Sequence, residues 1–418
     1  MKSSSILVTS LAGVSATLTP SYNTSSNSPV VVPYEYTYIL PNGFVGNENY
    51  TFANGTTTND PRINALLKSA TQAPIVAYDA EFSNIFGSNP AIKLVQDRSA
   101  QDDMFAHEAG VWVPERNEVW FSNSPSQLAV FPGTVYVLSL DTGHVGPLNS
   151  SSKVRNPNGG YYFEGKVYFT SIPGPANDTY PGGIISVDVH TLETQTIVNS
   201  YFGLHFNGPD DIVWVYNPAN RSEKYMFFTD LDFTKAAYPN GPSPMLPSSV
   251  YRWDPQNEIL RPVISRNDLS PNGIRVTPDM KTLYVPDSSS VYESFPTGVG
   301  VNSWLGPFIY AYKLDEDMLP SSRTMFGQVR LGIADGIHVD DSGRVWTGES
   351  EGVVCRNSLG KVIGVLNGEY FLANTSAEAT PIANFALAGD TIVVLAGTRL
   401  WTVQAEEVLV SSNSSKPD

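Results

Sequence analysis

The chain has 418 residues, 41% of them hydrophobic and 11% aromatic, with 33 glycines and 31 prolines. That is enough apolar surface for a large core, and the turn residues favour short strands. A formal net charge of −16 excludes the concentrated basic surface that nucleic acid or an anionic membrane requires, and one cysteine, Cys355, excludes an intramolecular disulfide, a cysteine-rich zinc site and a CxxC redox motif.

In chain order, Met1-Lys2 precede an apolar stretch from Ile6 to Leu18, and Val14-Ser15-Ala16 places small residues at a cleavage position. Residues 1–16 therefore read as a signal peptide, too short to span a bilayer. Residues 17–73, rich in Ser, Thr, Asn, Gly and Pro, read as a partly disordered N-terminal extension holding one helix over Pro61 to Gln72. A shorter helix is expected near Ala80 to Phe86, a propeller over 74–407 and a disordered tail over 408–418. Eight N-x-[ST] acceptors, Asn23, Asn49, Asn54, Asn149, Asn177, Asn220, Asn374 and Asn413, predict N-glycans on a secreted protein with no membrane span.

Between these ends one hairpin recurs: a polar or glycine-containing start, an alternating strand, a turn, and a second strand ending in an aromatic and a small or acidic residue. It appears as HEAGVWVPERNEVWFSN from His107, NPNGGYYFEGKVYFTS from Asn156, FNGPDDIVWVYNPANRSEKYMFFTD from Phe206, SPNGIRVTPDMKTLYVPDS from Ser270, ADGIHVDDSGRVWTGES from Ala334 and NFALAGDTIVVLAGT from Asn384. Further strands follow the hairpins, at Val135 to Gly143, Ile184 to Glu193, Val250 to Leu260 and Ile309 to Asp317, with shorter ones after the fifth and sixth. Six four-stranded units in one chain predict an all-β, six-bladed β-propeller. Its ring closes if Ala91 to Asp97 completes the blade begun at Asn384.

In such a ring the innermost strands converge, so polar residues at their starts meet at one end of the axis. Here these are His107-Glu108, Asn156 and Asn158, Asn207 with Asp210-Asp211, Asn272, and Asp335 followed by His338. Oxygen-bearing side chains from several blades suit a hard divalent cation such as Ca²⁺, and a central metal site is expected. The absence of HxH, HExxH and clustered cysteine disfavours zinc and redox metals. No GxSxG elbow, P-loop or GxGxxG follows a strand. The acidic pairs Asp102-Asp103 and Asp340-Asp341 read as solvated loop residues.

The motifs HEAGVW, NPNGG, FNGPDD with FFTD, PNGI with YVPD, and DGIHVDDSGRVW together resemble the senescence marker protein/gluconolactonase/luciferin-regenerating family, and within it the fungal lactonohydrolases. The resemblance runs from about Tyr78 to Val403. It implies a metal bound by Glu108, Asp210, Asn272 and Asp335, with Asp210 standing where the family's pair is an amide and a carboxylate. It implies Ca²⁺-dependent opening of a lactone, the cation polarising the carbonyl and activating water, with Asp335, His338 or His107 as the base. Asn158, Asn207 and Asp287 are the expected substrate contacts. Two other uses of the fold remain open: a non-hydrolytic cyclase or Diels-Alderase roofed by the aromatic loop from Tyr292 to Phe308, with Phe295 and Trp304, and a non-catalytic binding propeller.

Overall fold

A computed structural model describes residues 27–128, 133–149, 154–232, 234–238, 241–292, 306–372 and 382–412. Its described strands form six antiparallel, four-stranded blades around one axis. Blade I holds Glu108–Val113, Glu118–Ser122, Val135–Ser139 and Val145–Pro147. Blade II holds Pro157–Phe163, Lys166–Ser171, Gly183–Asp188 and Thr194–Val198. Blade III holds Pro209–Asn217, Asn220–Asp230, Ser249–Asp254 and Ile259–Ser265. Blade IV holds Arg275–Val276, Thr282–Pro286, Phe308–Leu314 and Pro320–Gln328. Blade V holds Ile337–Val339, Val345–Glu349, Gly352–Arg356 and Val362–Asn367. Blade VI holds Asn384–Ala388, Thr391–Ala396 and Arg399–Gln404, and the N-terminal Ile92–Asp97 completes it, as the sequence leads one to expect.

The repeats build repeated packing. Phe105, Phe121 and Tyr136 form an aromatic trio in blade I, and Phe206, Phe228 and Tyr251 form its counterpart in blade III, each with one stacked pair and an edge-on third ring. Such pairs add about 0.5–1.5 kcal/mol each beyond the burial of their area. Fully buried Trp346 donates from its ring nitrogen to Asp340 at 2.9 Å, and Arg344 Nε lies 2.7 Å from the same carboxylate. Asp340 is therefore not the solvated residue its loop setting suggests. It is fully buried, ties a tight turn through Ser342 and Arg344 amides, and anchors the second strand of blade V.

The N-terminal region also differs from expectation, because its described part is folded onto blade V. Ile75–Ala77 adds an antiparallel strand to Val362–Asn367, and Val30–Val31 pairs with it in parallel. The helix Pro61–Gln72 starts at an Asp60 cap and buries Ile63, Leu66, Leu67 and Ala70. Its last carbonyls are held from blade V, where the Asn367 amide donates to Ala70, Thr71 and Ala73. In the helix Ala80–Phe86, Phe82 lies over Gly364 and against Trp346. At the other end Leu409 is fully buried and bonded to Gly389 and Asp341, so the chain is tied to the propeller there, although Val408 beside it is 62% exposed. Residues 1–26 and 413–418, with the leader and the acceptors Asn23 and Asn413, lie outside the described residues, as does Asn374.

Around the axis the inner strands run side by side, and their backbones approach so closely that a side chain cannot fit at some positions. A Cβ at Gly159 would stand 2.2 Å from the Asp210 carbonyl oxygen, and one at Gly273 would stand 2.3 Å from that of Asp335. The glycines of NGG and PNG are thus spacing requirements. Gly159→Ala is expected to cost about 1–3 kcal/mol of unfolding free energy in urea titration, the usual range for overpacking. Gly46→Ala, where nothing lies within 4 Å of the added atom, should stay within about 0.5 kcal/mol of the native protein.

Candidate active site at the propeller axis

Each inner strand begins at the same end of the channel, and at or near those starts, in equivalent places of the six hairpins, stand Glu108, Asn158, Asp210, Asn272, Asp335 and Asn384. Their backbones are fixed by a device that explains the FS and FT pairs of the hairpins. The hydroxyl of Ser122 donates to the Asn158 carbonyl at 2.9 Å, Thr170 to that of Asp210 at 2.6 Å, and Thr229 to that of Asn272 at 2.6 Å. Each second strand therefore pins the inner strand of the next blade. At the corresponding place in blade IV stands Pro286, which has no hydroxyl, and the series stops.

The side chains at this end are buried, with Asp335 and His107 keeping partial exposure. Glu108 faces His107 Nδ1 at 3.0 Å through Oε1 and the Asn384 amide at 3.3 Å through Oε2. Asp210 accepts from Asn158 Nδ2 at 2.8 Å. Burial, with repulsion from Glu108, Asp335 and Asp211, pushes the Asp210 carboxyl well above its usual range; burial and repulsion from Glu108 and Asp211 do the same to Asp335, opposed by a hydrogen bond from Asn272. Glu108, Asp210 and Asp335 make no ion pair with lysine or arginine among the described residues. Two further oxygens, Asn158 Oδ1 and Asn272 Oδ1, are buried without a hydrogen-bond partner.

Among the described residues no three His, Cys, Asp or Glu side chains gather tightly enough to hold a metal by themselves. The donor set is mixed: three carboxylates with uncompensated charge and buried amide oxygens lacking donors. In kind it fits a hard, oxygen-ligated cation, which would relieve both the repulsion and the unpaired oxygens.

The remaining expected residues fall elsewhere. Asn207 is committed to structure: its amide donates to the Leu246 carbonyl at 2.6 Å and accepts from the Met245 and Leu246 amides. Asp287 Oδ1 is taken by the Ser270 amide and by the amide and hydroxyl of Ser289. His338 lies three residues further along its strand than Asp335, with Nε2 3.4 Å from Asn384 Oδ1 and its ring against Phe385. Burial and Arg275 hold its imidazole neutral, well below the usual pKa. It lines a cavity of about 160 Å³ at the opposite end, with Trp112, Tyr161, Arg275 and Leu387.

Between the two ends, Arg275 is 2.7 Å from Asp211 and also donates to the carbonyls of Ile212, Ile274 and Gly160. Sequence reasoning did not single out Asn384, Arg275 or Asp230. Asn384 was visible as the start of the sixth hairpin; a buried arginine inside an apolar strand leaves no local signal. Over the channel mouth, Leu128, Ile172, Ala237 and Tyr238 pack loops of blades I, II and III together. Residues 293–305 of the aromatic loop, with Phe295 and Trp304, lie outside the described residues.

With this geometry in place, the chain is seen to share its propeller fold with solved gluconolactonases. In sequence, residues 219–391 match the SMP-30/Gluconolactonase/LRE-like region. Lactonohydrolase oryL of Aspergillus oryzae is 27% identical over 292 residues, covering 66% of this chain and 63% of its own length, a little under two thirds. A gluconolactonase of Zymomonas mobilis is 22% identical over 364 residues, covering 83% and 85%. A solved gluconolactonase from Xanthomonas campestris superposes with a TM-score of 0.60 at 21% identity, over 79% of this chain and 95% of that one.

Asp230, at the end of FFTD, accepts from the amides of Asn207 and Gly208 and is buried deeply enough that its pKa is pushed up to about 7. A carboxyl raised in this way keeps its proton in the folded state after the unfolded chain has lost it. Its contribution is therefore most favourable below about pH 4, declines as pH rises from about 4 to about 7, and is level above that. Asp230→Asn, which keeps an accepting oxygen, should gain stability relative to the native protein across that window, read as a growing difference in urea midpoint between pH 4 and pH 8.

Proposed function

We propose that this protein opens a cyclic ester by hydrolysis at the end of its channel where the inner strands begin, with one divalent cation, Ca²⁺, held by Glu108, Asp210, Asn272 and Asp335. The observation that carries the reading is the set of carboxylates at the axis whose mutual repulsion no lysine or arginine among the described residues offsets. The named relatives, a lactonohydrolase and a gluconolactonase, support the reaction class.

When bound, the cation supplies Lewis-acid polarisation of the ester carbonyl. The chain's own residues do the rest. Asp335, partly open to the channel, accepts the proton of the attacking water on its carboxylate. The same proton passes from Asp335 to the leaving alkoxide as the ring C–O bond breaks, giving a hydroxy acid, while Glu108 holds the His107 ring at Nδ1 beside the site. The packed loops of blades I to III shield the mouth and orient the ring. Secretion with N-glycans is part of the same proposal; the acceptors Asn49, Asn54, Asn149, Asn177 and Asn220 are all exposed, and no described helix is long and apolar enough to cross a membrane.

Exhaustive EGTA treatment should abolish opening of aldonolactones and aromatic lactones in a pH-stat assay, and added Ca²⁺ should restore it. A stripped protein that retains its full rate overturns the reading. Asp335→Asn is expected to lower kcat by roughly 10²–10⁴, the range for loss of a general base. If ligand binding survives both Glu108→Ala and Asp335→Ala while no lactone is ever opened, the protein is a binding propeller instead.

A further inference from the structure

Taken in order around the axis, the side chains at equivalent places near the starts of blades I to VI are Glu108, Asn158, Asp210, Asn272, Asp335 and Asn384. Carboxylate and amide alternate through the whole circle. Two of the amides, moreover, serve the carboxylate of the blade that follows: Asn158 donates to Asp210 at 2.8 Å, and Asn384 to Glu108 at 3.3 Å across a separation of 276 residues. The last of these contacts exists only because the ring closes.

Three carboxylates sharing a buried channel repel one another, and rotamers that swing them apart relieve that repulsion. A fixed N–H donor opposes the swing. All three amides are themselves immobilised. Asn158 is fully buried and also donates weakly to the Pro209 carbonyl at 3.4 Å; Asn384 is buried, accepts from the Phe385 amide at 2.9 Å and fills the space beside Gly336; Asn272 donates to Ser288 Oγ at 3.0 Å. Each donor is thus held before any ligand arrives.

We infer that Asn158 and Asn384 are positioning residues, acting through Asp210 and Glu108 to keep those carboxylates turned to the axis for the cation. The inference rests on the cation reading above. It separates these two residues from substrate contact: Asn158 works on a neighbouring carboxylate, and Asn384 extends the site to the sixth blade. Outer-shell donors of this kind are commonly worth 10–100-fold in metal affinity.

The test is calorimetric titration of Ca²⁺ into the stripped full-length protein. Asn158→Ala and Asn384→Ala should each weaken binding by roughly 10–100-fold, with the shape-matched Asn158→Leu and Asn384→Leu behaving alike and the stripped variants melting within a few degrees of the native protein. Because the amides act through their partners, Asn384→Ala should add no further loss in a Glu108→Gln background, nor Asn158→Ala in an Asp210→Asn background. Unchanged affinity in the single variants, or losses that add in full in the double variants, overturns the inference while leaving the cation reading intact. A native protein that binds no Ca²⁺ overturns the cation reading and this inference with it.

Discussion

Six strands from six blades must share one axis, and the rest of the molecule is arranged around how near their backbones come. The contact is too tight for a side chain at Gly159 or Gly273, so the residues just before them project from closely spaced, nearly equivalent points. That spacing sets up the alternation of carboxylate and amide. A carboxylate placed next to another carboxylate would have no donor in reach, whereas one placed next to an amide is hydrogen-bonded by its neighbour. The hydroxyls of Ser122, Thr170 and Thr229 then lock the register of adjacent blades at the level of the site.

Such a site costs stability, because buried charge without a partner is unfavourable in a low-dielectric interior. The compensation lies outside the axis. Aromatic trios fill blades I and III, and the Glu349–Arg356 pair, both residues about 1% exposed and 2.6 Å apart, shares hydrogen bonds with Thr347. Asp340 joins Arg344 and Trp346 in the same blade. Blade V also carries the N-terminal segment, and between their second and third strands blades V and VI have short turns where blades I to IV carry long loops.

Much of this was legible in the residues. Hairpins with period-two alternation and a shared ending announce a repeat, and a chain of repeats with one strand missing at its end announces closure from the other terminus, as Ile92–Asp97 shows. The polar residues at the strand starts were legible for the same reason, since equivalence between repeats places them together. What could not be read depends on single tertiary contacts. The composition around residues 17–73 signals disorder, yet Val30–Val31 and the helix Pro61–Gln72 are held by a sheet edge and by Asn367, almost 300 residues away. Asn207 and Asp287 have the residue types of ligand contacts but spend their hydrogen bonds on loop backbones. Asp340 looks like a turn residue because it is one, and nothing local says that an arginine and a tryptophan will enclose it.

The closure of blade VI also orders events in time. Ile92–Asp97 has no partner until Arg399–Gln404 exists, and Ile75–Ala77 has only the two residues Val30–Val31 beside it until Val362–Asn367 exists. During synthesis, then, four blades can form while the first-made strands wait with unpaired backbone edges, and Glu108 meets Asn384 only when the circle shuts. The chain is left with a long interval in which its earliest segments are open to mispairing, a slow, high-contact-order assembly in which the active site is among the last features to appear.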